Sequence, residues 1–293
     1  MINTGKKEKN LKKETNRKRI SQKVVACIIA RTNSTRLPQK VLLDVNGKKL
    51  IEYIINKLKR STLIDQIYIC TSTDPNDDIL SVVAQENNVF CYQGSKFSIL
   101  ERLNAVCEKE KADHVVRITG DNIFCDETYI DIMVENHINN NSEFTRTEYL
   151  PLGVTAEIIS HKALKKSLKF VPESFSEYLT LYLFDPDNFK CQIIIPEKSH
   201  RQPFWSLTVD TKDDYNKVLT IIKNTSGILN YSQILSICKK NNIENLETNS
   251  FSSIKFPASI TMTYQAFRKE MELRIKKSSI VYLKDNEYND YIP

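Results

Sequence analysis

Three short stretches, each following an apolar run, hold the residues best able to do chemistry. The first is ARTNSTRLPQK (30–40), in which Arg31, Arg36 and Lys40 place three cations within ten residues and Ser34 and Thr35 add hydroxyl donors. Guanidinium groups bind phosphate oxygens bidentately and an ammonium acts as a point charge. Such a loop suits the triphosphate of a nucleotide, although charge count alone fits a solvated basic loop equally well. The second stretch is RITGDNIFCD (117–126), where Asp121 follows a strand-like run and a glycine. A carboxylate there can hold Mg²⁺ against phosphate oxygens. Asp126 reads as the N-cap of the next helix in preference to a second ligand. The third is LTVDTKDDYNKV (207–218), where Asp210 ends an apolar run, while Asp213 and Asp214 fall in the first turn of a helix. Capping and the helix dipole account for that last pair without a metal. A cationic loop facing two strand-end aspartates is the equipment of nucleotidyl transfer. Metal screens the phosphates, and fixed cations stabilise charge on the departing pyrophosphate.

Other chemistries lack their signatures. The chain has neither G-x-x-x-x-G-K-S/T nor G-x-G-x-x-G, and only six glycines, so a glycine-cradled phosphate is disfavoured. Its seven cysteines and four histidines are scattered, with no C-x-x-C pair, which supports neither a disulfide framework nor a zinc site. Reduced, mostly buried thiols in a cytoplasmic protein fit better.

The formal charge of +6 is unevenly placed. Residues 1–23 carry nine Lys/Arg against Glu8 and Glu14, so the remainder of the chain carries −1. Basicity confined to an end argues against a nucleic-acid-binding body. The tail is almost devoid of apolar residues and cannot offset the entropy of ordering, which predicts disorder over 1–22. The basic stretch and VVACIIA (24–30) imitate a signal peptide, but Arg31 follows at once, and no segment approaches the ~20 apolar residues of a membrane span.

The elements that must position these residues alternate from residue 24. VVACIIA (24–30), QIYICTS (66–72), VFCYQG (89–94) and HVVRITG (114–120) read as strands. Amphipathic stretches over 50–61, 76–88 and 98–110 lie between them. This order predicts an α/β fold with a mostly parallel sheet and helices on both faces. Ligands then bind at the carboxyl ends of the strands, where the topology switches. Beyond residue 140 the alternation loosens. Strands are expected at 155–160, 191–196 and 205–210, and helices at 161–170, 173–186, 212–224, 231–242 and 264–277.

IIARTNSTRLPQKVLLDVNGKKLIEY (28–53) resembles the opening of the cytidylyltransferases that make CMP-3-deoxy-manno-octulosonate and CMP-sialic acids, and within them the spore-coat polysaccharide branch. The likeness extends to TSTDPNDD (71–78), GS…ILER (94–102), RITGDNIFCD, PLGVTAEIIS (151–160) and LTVDTKDDY (207–215). It implies a nucleotide-diphosphosugar transferase (GT-A-like) fold over 23–248, with a C-terminal extension over 249–293. It implies CTP as donor, Mg²⁺ as cofactor, pyrophosphate as product and a homodimer. Ala30, Arg31, Ser34, Arg36 and Lys40 would bind the nucleotide, with Arg36, Lys40 and Asp121 catalytic and Asp121 and Asp210 on the metal. Glu157 matches an acidic position of the spore-coat branch and would bind acceptor hydroxyls, although a buried structural glutamate fits the position equally well. Glu177 survives where SEYLT (176–180) replaces R-E-H-V-T, in the part expected to meet the acceptor. Gln39 stands where a glycine is usual, and GDNIFCD replaces G-D-C-P-L-I-D with both aspartates kept. The lost Arg and His of SEYLT leave the sugar-like acceptor open. A glycosyltransferase on the same fold usually shows D-x-D at a strand end, which is missing here. A catalytically silent relative would not need the intact cations and aspartates.

Overall fold

The computed structural model describes residues 21–171, 182–223, 225, 227–243, 246–247, 253–255 and 261–291. Residues 1–20 of the predicted disordered tail, Glu177 and most of the helix expected over 173–186 therefore lie outside the described residues. Among those described, the strands are β1 (Val24–Ile29), β2 (Asp44–Val45), β3 (Lys48–Lys49), β4 (Gln66–Ser72), β5 (Phe90–Gly94), β6 (His114–Thr119), β7 (Phe144–Thr147), β8 (Glu157–Ser160), β9 (Cys191–Ile195), β10 (Ser253–Lys255), β11 (Thr261–Thr263) and β12 (Ser279–Tyr282).

Eight of these strands form one sheet in the order β12-β9-β7-β8-β6-β1-β4-β5. Only β8 runs against its neighbours, pairing antiparallel with β6 and β7; every other pair is parallel. β1 shows why the sheet is covered on both faces. Val24, Ala26 and Ile28 enter one core cluster, and Val25, Cys27 and Ile29 enter the other. A strand buried on both faces reads as one continuous apolar run, as VVACII does. Helices Leu50–Leu58, Ile79–Glu86, Glu127–Asn139, Lys212–Ile222 and Tyr231–Lys240 supply the first cluster. Ile99–Glu110 and His161–Ser167 supply the second, joined by Met271 of Tyr264–Lys277.

The order of strands locates the crevice. From β1 the chain moves to β4 and β5 on one side, then returns to the other side of β1 with β6. Ile29 pairs with Thr119, so β1 and β6 end side by side and the two chemically rich turns leave the sheet together. Gly120 makes the approach feasible: a Cβ there would meet Val41 Cγ1 at 2.9 Å and Ala30 Cβ at 3.1 Å.

Three departures from the sequence expectations have physical causes. Residues 205–210 form no continuous strand. Trp205 and Ser206 make isolated bridges, after which the backbone N–H groups of Leu207 and Val209 donate to the carbonyls of Leu152 and Asp121. The helix expected after Asp126 runs over Glu127–Asn139, an extent that its polar residues obscured, and strand β7 was not apparent for the same reason. Glu127, Thr128, Asp131 and His137 are buried in the helix, and β7 reads FTRT. Finally, part of the C-terminal extension is built into the domain. β12 adds an edge strand beside β9, and Leu283 and Tyr288 join the first core cluster. All seven cysteines are free thiols, and six are buried. No helix among the described residues is long and apolar enough to cross a membrane.

Candidate active site

The loop after β1 is folded on itself. The Thr32 carbonyl accepts the backbone N–H groups of both Ser34 and Gln39 at 3.0 Å, closing residues 32–39 into a ring. Gln39 turns the corner with φ 52° and ψ 26°, in the left-handed region. That is where the resemblance expects a glycine, which adopts this conformation without the cost a Cβ imposes. The short 3₁₀ turn Lys40–Leu42 follows and buries Val41 against Gly120. Ala30 is buried at the root of the loop, Arg31 and Ser34 are half-buried, and Arg36 projects into solvent.

Four of the residues named from the sequence meet at this edge. Lys40 Nζ lies 2.7 Å from Asp121 Oδ2 and 2.8 Å from Asp210 Oδ1. Arg36 Nη2 lies 2.8 Å from the same Asp210 oxygen. Two cations and two carboxylates thus cancel, and the Lys40 ammonium is the group both aspartates share. Burial alone would push the Lys40 pKa down, but the charges and hydrogen bonds of Asp121 and Asp210 outweigh it and raise it. The ammonium is therefore charged at any physiological pH.

Neighbouring residues aim the two carboxylates. Thr119 Oγ1 donates to Asp121 Oδ1 at 2.6 Å, and Val209 N–H donates to the Asp121 carbonyl at 3.1 Å, which brings Asp210 alongside. Asp214 forms a capping box with Thr211 and also accepts the Asp210 N–H at 3.1 Å. Burial raises the Asp214 pKa, but hydrogen bonds from Lys217 and Thr211 more than offset this and hold it low. Asp214 is thus both a helix cap, as its position in the first turn predicts, and the support of Asp210. Its second role was hidden because Lys217, buried beside it at 3.0 Å, reads from sequence as an ordinary surface lysine.

Asp126 caps the helix Glu127–Asn139 by accepting the Tyr129 N–H at 3.0 Å and is fully buried, as the capping reading expects. Glu157 sits in the sheet, with Oε2 2.6 Å from Arg117 Nη1 across the β6–β8 ladder. Glu177 lies outside the described residues.

Cations and carboxylates converge at the switch point of a mostly parallel sheet, and the fold is that of the nucleotide-diphosphosugar transferases, to which nucleotidyltransferases belong. A cytidylyltransferase from Leptospira borgpetersenii matches the structure with a TM-score of 0.73 at 25% identity, over 78% of this chain and 99% of that one. A CMP:2-keto-3-deoxy-manno-octonic acid synthetase complexed with CTP shares the fold, with a TM-score of 0.54 at 15% identity over 69% and 98% of the two chains. The chain belongs to the cytidylyltransferase family, whose sequence profile matches residues 25–251. Among its relatives, the spore coat polysaccharide biosynthesis protein SpsF of Bacillus subtilis is 27% identical over 227 residues, covering 74% of this chain and 95% of that protein. An uncharacterised protein of Methanocaldococcus jannaschii is 30% identical over 231 residues, covering 78% and 95%. Strand β12 and Tyr288 lie beyond the family match.

Proposed function

We propose that this enzyme transfers CMP from CTP to a hydroxyl of a sugar acid, or of a related sugar or polyol, releasing pyrophosphate for the assembly of a surface polysaccharide or other glycan. The observation that carries the reading is the Lys40 ammonium held between Asp121 and Asp210 beside the loop of Arg31 and Arg36. Membership of the cytidylyltransferase family supports CTP as donor. The likeness to SpsF supports a polysaccharide setting.

The donor set fits Mg²⁺. Asp121 and Asp210 offer hard oxygens converging on one cationic position, and Mg²⁺ is commonly bound by one or two carboxylates with substrate phosphates and water. Among the described residues no group of three or more His, Cys, Asp or Glu could hold a metal, so phosphate oxygens would complete the shell. When bound, the ion supplies charge screening and Lewis-acid polarisation at the α-phosphate. Arg31, Ser34 and the backbone at Ala30 hold the triphosphate in its resting geometry. Arg36 and Lys40 exchange carboxylate partners for phosphate oxygens, where they neutralise charge that grows as the bond to pyrophosphate breaks. The acceptor oxygen attacks the α-phosphorus in line, the bond from that phosphorus to the bridging oxygen breaks, and the hydroxyl proton passes to solvent. Glu157, oriented by Arg117, and Glu177 accept hydrogen bonds from acceptor hydroxyls. The enzyme works as a cytoplasmic homodimer, which sedimentation of the purified protein tests.

Pyrophosphate release with each nucleoside triphosphate, with and without Mg²⁺, across a panel of acidic sugars and polyol phosphates tests the whole reading. CTP and Mg²⁺ should both be required. Comparable turnover with all four nucleotides, or consumption of an activated sugar without pyrophosphate, refutes it.

A further inference from the structure

We propose that Asp77 is a positioning residue that pins the ring of residues 32–39 to the sheet and so sets where the nucleotide-binding cations stand; the nucleotide part rests on the reading above. Asp77 ends the short 3₁₀ turn Pro75–Asp77 just beyond β4, a turn whose start is fixed by the Asp74 side chain accepting the Asn76 N–H. Its side chain is almost wholly buried, at 2% exposure. Oδ1 accepts both the backbone N–H and the hydroxyl of Thr32 at 2.8 Å, and Oδ2 accepts the Ser72 hydroxyl at 2.5 Å. The Thr32 hydroxyl also lies 3.1 Å from the Asn76 carbonyl. Burial raises the pKa of this carboxyl, but the bonds from Ser72 and Thr32 outweigh it and lower it, so Asp77 is an anion.

Thr32 is the hub of the ring. Its carbonyl ties Ser34 and Gln39, while its N–H and hydroxyl both end on Asp77. Ser34 and Arg36 lie inside the ring, and Arg31 and Lys40 flank it. The contact crosses from the loop of β1 to the turn after β4, so it joins the two strand ends on the nucleotide side of the crevice. A buried negative charge beside a site for a triphosphate is electrostatically unfavourable to the ligand. A carboxylate in this place is explained by geometry: it can accept three hydrogen bonds, two of them on one oxygen, that no apolar residue could replace. Losing one partner leaves buried donors unsatisfied, and a misplacement of about 1 Å in a binding loop costs on the order of a hundredfold in rate.

The charge and the geometry predict opposite outcomes. Replacing Asp77 by Asn removes the anion at nearly constant shape but puts an amide N–H₂ where one acceptor stood. If only charge mattered, CTP would bind more tightly. If Asp77 positions the ring, CTP should bind about tenfold or more weakly by calorimetry. In the nucleotide-free protein, the amides of Thr32, Ser34 and Gln39 should exchange with solvent at least about tenfold faster, with β1 and β4 unchanged. Thr32→Val, which keeps the backbone N–H, should show the same effects in weaker form and decides the question if the Asp77 variant fails to fold. Thr32→Ser should restore wild-type protection. Unchanged exchange in the ring, or tighter CTP binding, overturns the proposal. A wild-type protein that binds no CTP refutes the nucleotide reading instead, and the exchange data still judge the ring.

Discussion

Asp121 and Asp126 lie five residues apart on one turn, and the fold gives them opposite work. Asp121 is partly open to the crevice, aimed by Thr119 and shared with Asp210 by a single ammonium. Asp126 is fully buried, and its Oδ2 accepts the Tyr231 N–H at 2.8 Å and the Tyr288 hydroxyl at 2.9 Å, with Lys57 Nζ 4.0 Å away. Around it, Tyr129 donates to or accepts from His200 at 2.7 Å, and Glu197 holds the Asn286 N–H at 2.7 Å. One cluster keeps its charges where a ligand can compete for them. The other uses its carboxylates to hold elements together, including the C-terminal segment that the family match does not cover. An aspartate beside a site is therefore not thereby part of its chemistry; the competition for its lone pairs decides.

Substitutions can separate the two clusters. The largest effect is expected at Asp121→Asn and Asp210→Asn, which remove charge at nearly constant shape. Turnover should fall on the order of a thousandfold with little change in melting temperature. An active Asp121→Asn enzyme breaks the comparison at its first term. Next come Arg36→Ala and Lys40→Ala, which should lower kcat about a hundredfold, while Arg31→Ala acts mainly on KM for CTP. Steady-state kinetics at saturating CTP checks this. Wild-type kcat in Lys40→Ala removes the loop from catalysis.

Asp126→Asn should do the reverse. The buried N–H of Tyr231 and hydroxyl of Tyr288 lose a charged acceptor, which costs about 1–3 kcal/mol of stability. The folded enzyme should keep its turnover within a few-fold. Denaturant midpoints measured beside activity sharpen the contrast, and a collapse of turnover at unchanged stability would move Asp126 into the site. Tyr288→Phe removes one hydrogen bond and should cost about 1 kcal/mol. The smallest change is expected on deleting residues 1–22, whose charge is separable from the neutral body. Activity with soluble substrates should remain within about twofold.

Much of this was legible in the residues alone. The apolar run of β1, the alternating helices and the cations and aspartates at strand ends are local patterns, because period and residue type decide what a segment buries and what it exposes. They sufficed for the fold class and singled out Arg36, Lys40, Asp121 and Asp210, which the structure brings together. Even the capping role of Asp126 follows from its place before a helix. Contacts between distant segments were not legible. That Lys40 bridges two aspartates 81 and 170 residues away, that Asp214 and Lys217 brace Asp210, and that Tyr288 closes on Asp126 are products of packing. The same holds for the irregular backbone before Asp210, which takes its place from the Leu152 and Asp121 carbonyls instead of from a continuous ladder. A sequence states which side chains can donate, accept or carry charge. Which of them meet, and which are sealed from water so that the meeting is worth free energy, is decided only when the strands are ordered in the sheet and the dielectric around each group is set.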